Sequence, residues 1–172
     1  SFINDHGQQE SYSSNAASVY VEKGQNLTIR NCIIQDSGNG IFVGAFDGQT
    51  QDILIEGNKI FGNGIVGSCY QHNTYTAGIN VTYQYNYMGA LRSGAGGNNL
   101  KDRSAGLVVR YNWIENGNRQ LDLVDAEDSD TLVNHPAYRK TYVYGNILLE
   151  GDGEGNSQMV HYGGDSGTES DY

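Results

Sequence analysis

One short pattern recurs along this chain and limits the folds that it can adopt. Each copy reads apolar, any residue, apolar, any two residues, Asn, any residue, apolar. Five successive copies have Cys32, Asn58, Asn86, Asn112 and Asn146 at the Asn position. These positions are spaced by 26, 28, 26 and 34 residues. Similarity at a period of roughly 20–50 residues indicates a solenoid, in which each copy packs only on its neighbours.

The pattern describes two short strands that are joined by a bend. Apolar residues at alternate positions, such as Leu107 and Val109, put their side chains on one face of a strand. Asn tolerates the left-handed backbone of a bend and bonds nearby backbone groups, so Asn side chains of successive copies can form a ladder. The next apolar residue, here Ile114, then points inward on a second strand.

A further strand recurs between the copies and completes each coil. Its copies lie at 40–43, 73–76, 99–102, 120–123 and 158–161, and we expect Leu100, Leu121 and Met159 to form one inward column. Coils of about 26 residues leave no room for helices, and stacking aligns their strands in parallel. We therefore predict an all-β, right-handed parallel β-helix of about five coils, its hand following the rule for parallel crossovers.

The predicted β-helix domain spans residues 19–164. A polar arm or partial coil (1–18) precedes it, and a polar tail (165–172) follows it. Two longer connections, one carrying Cys69 and one running from Ala126 to Lys140, interrupt the regular spacing, and such loops commonly carry function. Because no apolar element closes the last coil, we expect a longer parent chain or a packing partner at that end.

Composition narrows the class of partner. The chain has 24 glycines and one proline, which favours many tight bends between extended segments. A net charge of −10 argues against nucleic acid, although a local basic groove can still bind a polyanion. No stretch approaches roughly 18 consecutive apolar residues, so no membrane partner is expected. Cys32 is expected to be a buried small residue, and its pairing with Cys69 is left open.

Several motifs carry a resemblance beyond the generic repeat. They are His72-Asn73-Thr74-Tyr75, Asn99-Leu100-Lys101-Asp102-Arg103-Ser104, Tyr144-Gly145-Asn146, Asn156-Ser157 and His161-Tyr162-Gly163. With these motifs the chain resembles the secreted bacterial right-handed parallel β-helix repeat proteins, which include polysaccharide lyases. The resemblance implies a secreted protein and a Lys–Arg pair acting as base and acid. In those lyases the pair lies on neighbouring coils, whereas here Lys101 and Arg103 are two residues apart on one strand.

The charged triplet Lys101-Asp102-Arg103 is the first candidate site. If Leu100 points inward, Lys101 and Arg103 both project outward and can neutralise the carboxylate of a uronate sugar. Neutralisation acidifies the C5 proton, and a lysine can then serve as the base of a β-elimination. The alternative is a solvated pair that is bridged to Asp102, Asp122 or Asp125.

His72 and Tyr75 are one coil earlier at the corresponding strand, so they can supply a proton donor and a stacking ring beside Lys101. The alternative is a histidine satisfied by neighbouring Asn side chains and a surface tyrosine. Together, Lys101, Arg103, His72 and Tyr75 are the predicted catalytic residues.

Other side chains are predicted to bind substrate or metal. Tyr87 and Trp113 share one outward position in successive coils and can stack on sugar rings, or else pack on each other. The remaining predicted substrate-binding residues are Asp122, His161 and Tyr162. Asp125, Glu127 and Asp128 belong to an acidic run that can hold Ca²⁺, with a solvated acidic loop as the alternative.

Two functions follow as expectations. The first is a secreted carbohydrate-active β-helix that binds, and as an enzyme cleaves, an acidic polysaccharide. The second is a non-catalytic structural or adhesive module that stacks end to end through open coils.

Overall fold

The computed structural model describes residues 16–153 and 155–165, and these residues fold into three parallel sheets. Most of the predicted arm (1–18) and tail (165–172) lies outside the described residues. The prediction of an all-β parallel β-helix is confirmed, since every strand pairs in parallel with its counterpart in the neighbouring coil. Within the described ranges no helix is long and apolar enough to span a membrane.

Each coil visits the three sheets in a fixed order. Sheet A consists of β1 (Ala17–Val21), β4 (Asn39–Val43), β7 (Thr74–Thr76), β10 (Leu100–Asp102), β13 (Leu121–Val124) and β16 (Val160–Gly163). Sheet B consists of β2 (Gln25–Arg30), β5 (Gln51–Glu56), β8 (Ile79–Gln84), β11 (Val108–Arg110) and β14 (Tyr142–Tyr144). Sheet C consists of β3 (Ile33–Ile34), β6 (Lys59–Ile60), β9 (Tyr87–Met88), β12 (Trp113–Glu115) and β15 (Ile147–Leu149).

The apolar columns of the repeat form the core in the predicted register. In sheet B, Ile29 pairs with Ile55, which pairs with Tyr83 in the next coil. In sheet C, Ile60 and Ile114 flank Met88 in the same way. Nearly all of these side chains are completely buried, so stacking removes the apolar face of each coil from water.

The predicted Asn ladder is present and is fully hydrogen-bonded. The side-chain oxygen of Asn86 accepts from the backbone N–H of Asn58 at 2.9 Å and from its amide nitrogen at 3.1 Å. Asn86 in turn donates from its amide nitrogen to Asn112 at 2.9 Å and to the backbone oxygen of Ile55 at 2.8 Å. Asn112 repeats the arrangement with Asn146. Each rung therefore satisfies buried backbone groups at the corner between sheets B and C.

The left-handed residue of this corner precedes the ladder residue, which differs from our expectation that Asn itself takes that conformation. The corner has positive φ at Asn31, Gly57, Tyr85, Tyr111 and Gly145. This backbone geometry turns the chain just before the Asn, so that the Asn side chain points inward to its neighbours. A Cβ at Gly145 would lie 2.5 Å from the Tyr111 ring, so this position also needs glycine for space.

Three sequence-based expectations are wrong in detail. Val160, not Met159, pairs with Leu121, because two adjacent apolar residues leave the register of an alternating strand undecided. Cys32 occupies the ladder column but is exposed, because it belongs to the first ladder coil, and both Cys32 and Cys69 are free thiols. The longer connection from Ala126 to Lys140 contains a short helix, α1 (Asp130–Val133), whose N-terminus is capped by the Ser129 side chain.

We expect Asn86→Ala to lower the free energy of unfolding by at least about 2 kcal/mol, because each buried group left unpaired costs roughly 1–3 kcal/mol. Urea denaturation at neutral pH measures the change. Asn134→Ala removes a single exposed hydrogen bond on α1 and serves as the control, with an expected cost within about 0.5 kcal/mol. Equal losses in the two variants would contradict a structural role for the ladder.

Candidate functional site

The outer face of sheet A brings a series of different side chains into one straight column. Because successive strands are in register, Tyr75 lies next to Lys101, Lys101 next to Asp122, and Asp122 next to His161. On the other side of Tyr75 the column continues through Phe42 and Tyr20. The column is thus aromatic in the first coils and charged in the later ones.

A cavity of about 380 Å³ opens over the middle of this column. It contains six of the side chains that sequence analysis selected, which are the four predicted catalytic residues, Asp122 and Glu127. Both longer connections reach it, since Cys69 and Tyr70 come from the first and Glu127 from the second. The cavity is therefore bordered by irregular loops on a rigid sheet, which is a common setting for a binding site.

Arg103 follows β10 and is the most connected residue of the cavity. Its Nε donates to the Tyr75 hydroxyl oxygen at 2.9 Å, and its Nη1 donates to the backbone oxygen of Asp125. Its Nη2 is 2.8 Å from Glu127 and 2.8 Å from Asp165. Arg103 projects outward as expected, but the alternative of a solvated pair does not describe it, because only 6% of its side chain is exposed. These bonds fix the plane of the guanidinium group in the wall of the cavity.

Lys101 projects from β10 into the same cavity. Its Nζ is 2.7 Å from the Asp165 carboxylate and 3.5 Å from that of Asp122. Asp122 is held by the Asn98 amide at 2.7 Å and by His161 Nδ1 at 2.9 Å. The ion pair of Lys101 with Asp122 is one of the alternatives raised from the sequence, and Asp165 is an additional partner.

His72 is buried against the floor of the cavity. The backbone N–H of Asn98 donates to its Nδ1 at 2.8 Å, so the neutral ring carries its hydrogen on Nε2. Burial lowers the pKa of His72 to about 3, helped by the positive charges of Lys101 and Arg103. The ring stacks on Tyr75 with centroids 5.8 Å apart. His72 is therefore a neutral hydrogen-bond donor near neutral pH and not the exchangeable acid that its residue type suggested.

The formal charges of the cavity cancel. Three cations (Lys101, Arg103 and Arg119) face three carboxylates (Asp122, Glu127 and Asp165). Lys101 and Arg103 expose only 14% and 6% of their side chains, so these charges depend on their partners for stabilisation. A ligand carboxylate can bind here by taking the place of one of the three internal ones.

The remaining predicted residues are not among those that line this cavity, although His161 bonds Asp122 at its edge. Tyr87 and Trp113 pair in sheet C, where Glu115 accepts from the Tyr87 hydroxyl at 2.9 Å and from Trp113 Nε1 at 2.5 Å. Tyr162 neighbours His161 but points to the other side of β16, into a second cavity of about 220 Å³. Asp102 also faces that second cavity, and Thr76 and Ser104 satisfy its carboxylate.

The described geometry provides no ligand cluster for the predicted calcium. Within residues 16–153 and 155–165 no three His, Cys, Asp or Glu side chains converge as a metal site. Glu127 is paired with Arg103, and the Asp125 carboxylate accepts from the backbone N–H of Asp165 at 2.5 Å. Asp128 is exposed on the loop.

Sequence analysis missed Asp165, Arg119 and the contribution of Asn98. Arg119 had a weak local signal, since it is three residues before Asp122, and its guanidinium group is 3.5 Å from that carboxylate. No local sequence signal indicated Asp165, because its contact with Lys101 joins residues 64 positions apart.

Comparison with family models, with curated protein sequences and with solved structures gave no match for the chain.

The lowered pKa of His72 predicts an acid-dependent loss of stability. The pKa of His72 is 6.5 in the unfolded chain and about 3 in the folded protein. Between these two pH values the unfolded chain binds a proton at His72, whereas the folded protein leaves the ring neutral. The stability of the wild type relative to His72→Asn should therefore fall as pH falls through this window, by up to about 1.4 kcal/mol per pH unit. Urea denaturation at several pH values measures the difference.

Asp102 changes stability with pH in the opposite direction to His72, but it does not affect the comparison of wild type with His72→Asn. Burial raises its pKa from 3.8 to about 6, so its contribution to stability is lost as pH rises through that range. Because both proteins contain Asp102, its effect cancels in their difference. A pH-independent difference between wild type and His72→Asn would contradict the buried neutral state of His72.

Proposed function

We propose that this protein is a secreted carbohydrate-active β-helix that binds an acidic polysaccharide along the outer face of sheet A and cleaves it by β-elimination. The proposal depends on one observation, which is that Lys101, Arg103 and Tyr75 meet in one cavity with a carboxylate oxygen shared between the two cations. A uronate sugar presents a carboxylate of the same kind.

The first requirement of such a reaction is neutralisation of the sugar carboxylate. Arg103 is suited to it, because its guanidinium plane is fixed by Tyr75 and by the backbone oxygen of Asp125. A fixed cation in a poorly hydrated wall stabilises the carboxylate more strongly as charge builds up on it in the transition state. The C5 proton of the sugar becomes more acidic as a result.

The proton transfers can be assigned to two side chains. Lys101 first releases a proton from its ammonium group to water. Its amine then takes the C5 proton, the C–H electrons form the C4–C5 double bond, and the C4–O bond to the next sugar breaks. The leaving oxygen takes a proton from Tyr75, whose hydroxyl oxygen accepts from Arg103 Nε and keeps its own hydrogen for donation. His72 orients this pair by stacking on Tyr75, and its Nε2–H serves as a hydrogen-bond donor.

The product of this reaction carries a conjugated double bond, so absorbance of unsaturated uronate should rise when the protein is incubated with alginate, pectate or glycosaminoglycans. Lys101→Met and Tyr75→Phe should each lower the rate by about 10²- to 10⁴-fold, the usual contribution of a positioned acid or base. Circular dichroism spectra of the variants should remain those of the wild type.

Two matched variants serve as controls. Tyr20→Phe changes a tyrosine of the same outward column two coils away, and Lys59→Met removes an exposed lysine from sheet C. Neither should change the rate. The absence of unsaturated product from all these polymers, with and without calcium, would contradict the lyase proposal.

A second candidate, the structural or adhesive module, is favoured by the surface at β14, β15 and β16. In the described part of the chain these strands have no further strand beside them, and their residues Val143, Ile147 and Val160 are exposed. Open strand edges beside apolar side chains can pair with another coil.

End-to-end assembly predicts that the mass measured by light scattering rises with protein concentration. Val160→Lys places a charge at this surface and should restore a constant monomer mass. A constant monomer mass for the wild type would exclude self-stacking in the range tested.

A further inference from the structure

A single carboxylate oxygen bridges the two cations of the candidate site. Oδ2 of Asp165 is 2.7 Å from Lys101 Nζ and 2.8 Å from Arg103 Nη2. Hydrogen bonding from Lys101 lowers the pKa of Asp165, with Arg103 adding to the effect, so this carboxylate is ionised near neutral pH. Lys101 and Arg103 therefore form a carboxylate-binding pair, and its present occupant belongs to the chain itself.

Asp165 lies on the solvent side of this pair. About 40% of its side chain is exposed, against 14% for Lys101 and 6% for Arg103. Of the other two carboxylates of the cavity, Asp122 is almost buried, and Glu127, which is 34% exposed on the second longer connection, pairs with Arg103. Removal of Asp165 would therefore open both cations to a ligand arriving from outside.

The backbone before Asp165 allows such a movement. Asp165 is two residues beyond the end of β16 at Gly163 and so lies outside the described strands of sheet A. Gly163 has a φ of 131° and no atom within 4 Å of the place where a side chain would begin. Its backbone has both the conformational range and the space of a hinge. The described backbone contact of Asp165 is one hydrogen bond, from its N–H to the Asp125 carboxylate.

We propose that Asp165 is the internal occupant of a carboxylate subsite formed by Lys101 and Arg103, and that an acidic ligand binds by displacing it. The subsite takes a single carboxylate, flanked by the Tyr75 hydroxyl. That the natural ligand is a uronate polymer rests on the proposed function, whereas the displacement itself does not.

Displacement explains how a neutralised cavity accepts an anion. A ligand carboxylate replaces an internal one, so no buried cation is left unpaired and the charge balance is kept. The apparent affinity for an acidic ligand is reduced by the fraction of molecules in which the subsite is open.

The test measures binding of sodium glucuronate, a single uronate, by NMR titration. Asp165→Asn and Asp165→Ala should bind it about three- to tenfold more tightly than the wild type, as expected if the wild-type subsite is open for roughly 10–30% of the time. Asp128→Asn removes the same charge from an exposed loop position and should match the wild type. Methyl glucoside, which has no carboxylate, should show no gain in either Asp165 variant.

A second measurement needs no variant. In the wild type, saturating glucuronate should shift the backbone amide signal of Asp165, because displacement breaks its bond to Asp125. Equal affinities of the wild type and the Asp165 variants, an equal gain in Asp128→Asn, or no glucuronate binding by any protein would each overturn the inference.

The outcomes separate this inference from the proposed function. If the Asp165 variants gain affinity for glucuronate but no polymer is bound or cleaved, the result supports the carboxylate subsite and contradicts the polysaccharide function. If the wild type cleaves a polymer while Asp165→Asn binds glucuronate no better, the displacement is wrong and the function stands.

Discussion

The Asn ladder is the interaction on which the rest of this structure depends. Each rung accepts from a backbone N–H of one coil and donates to the next, so a shift of one residue would leave several buried groups unpaired. The ladder thereby fixes how each coil lies on its neighbour. Because the strands of sheet A belong to the same coils, the register set at this corner also aligns Tyr75, Lys101 and Asp122 on the far face.

This alignment explains how a solenoid places the strand residues of the site, to which the longer connections add Cys69, Tyr70 and Glu127. Side chains at one column position lie about one strand spacing apart, roughly 4.8 Å. Neighbouring positions of that column can hold opposite charges, as at Lys101 and Asp122, or stacked rings, as at Phe42 and Tyr75, whose centroids are 5.2 Å apart. The scaffold supplies the spacing, and the residue types decide the chemistry.

The aromatic residues on the outer faces of sheets A and C show that a sequence pattern does not predict which surface side chains belong to a binding site. Tyr20, Phe42 and Tyr75 stack on one another with nearly parallel planes, so their faces are turned to each other along the column. Their stacking is cross-coil packing that leads up to the cavity. Tyr87 and Trp113 pair in register on another sheet, so their position does not connect them with Lys101.

Local pattern was sufficient to identify the coils and six of the side chains of the cavity, because alternation and the Asn position are properties of a few neighbouring residues. It failed where two adjacent apolar residues fit the strand equally well, so that the register was undecided, as at Met159 and Val160. It also failed where the environment sets the chemistry. His72 loses its ordinary acidity because the fold buries it, and Asp165 meets Lys101 only because the last described coil closes over the fourth strand of sheet A. The burial of His72 and the contact between Asp165 and Lys101 arise only when the coils stack, so the tertiary structure decides them and the local sequence does not.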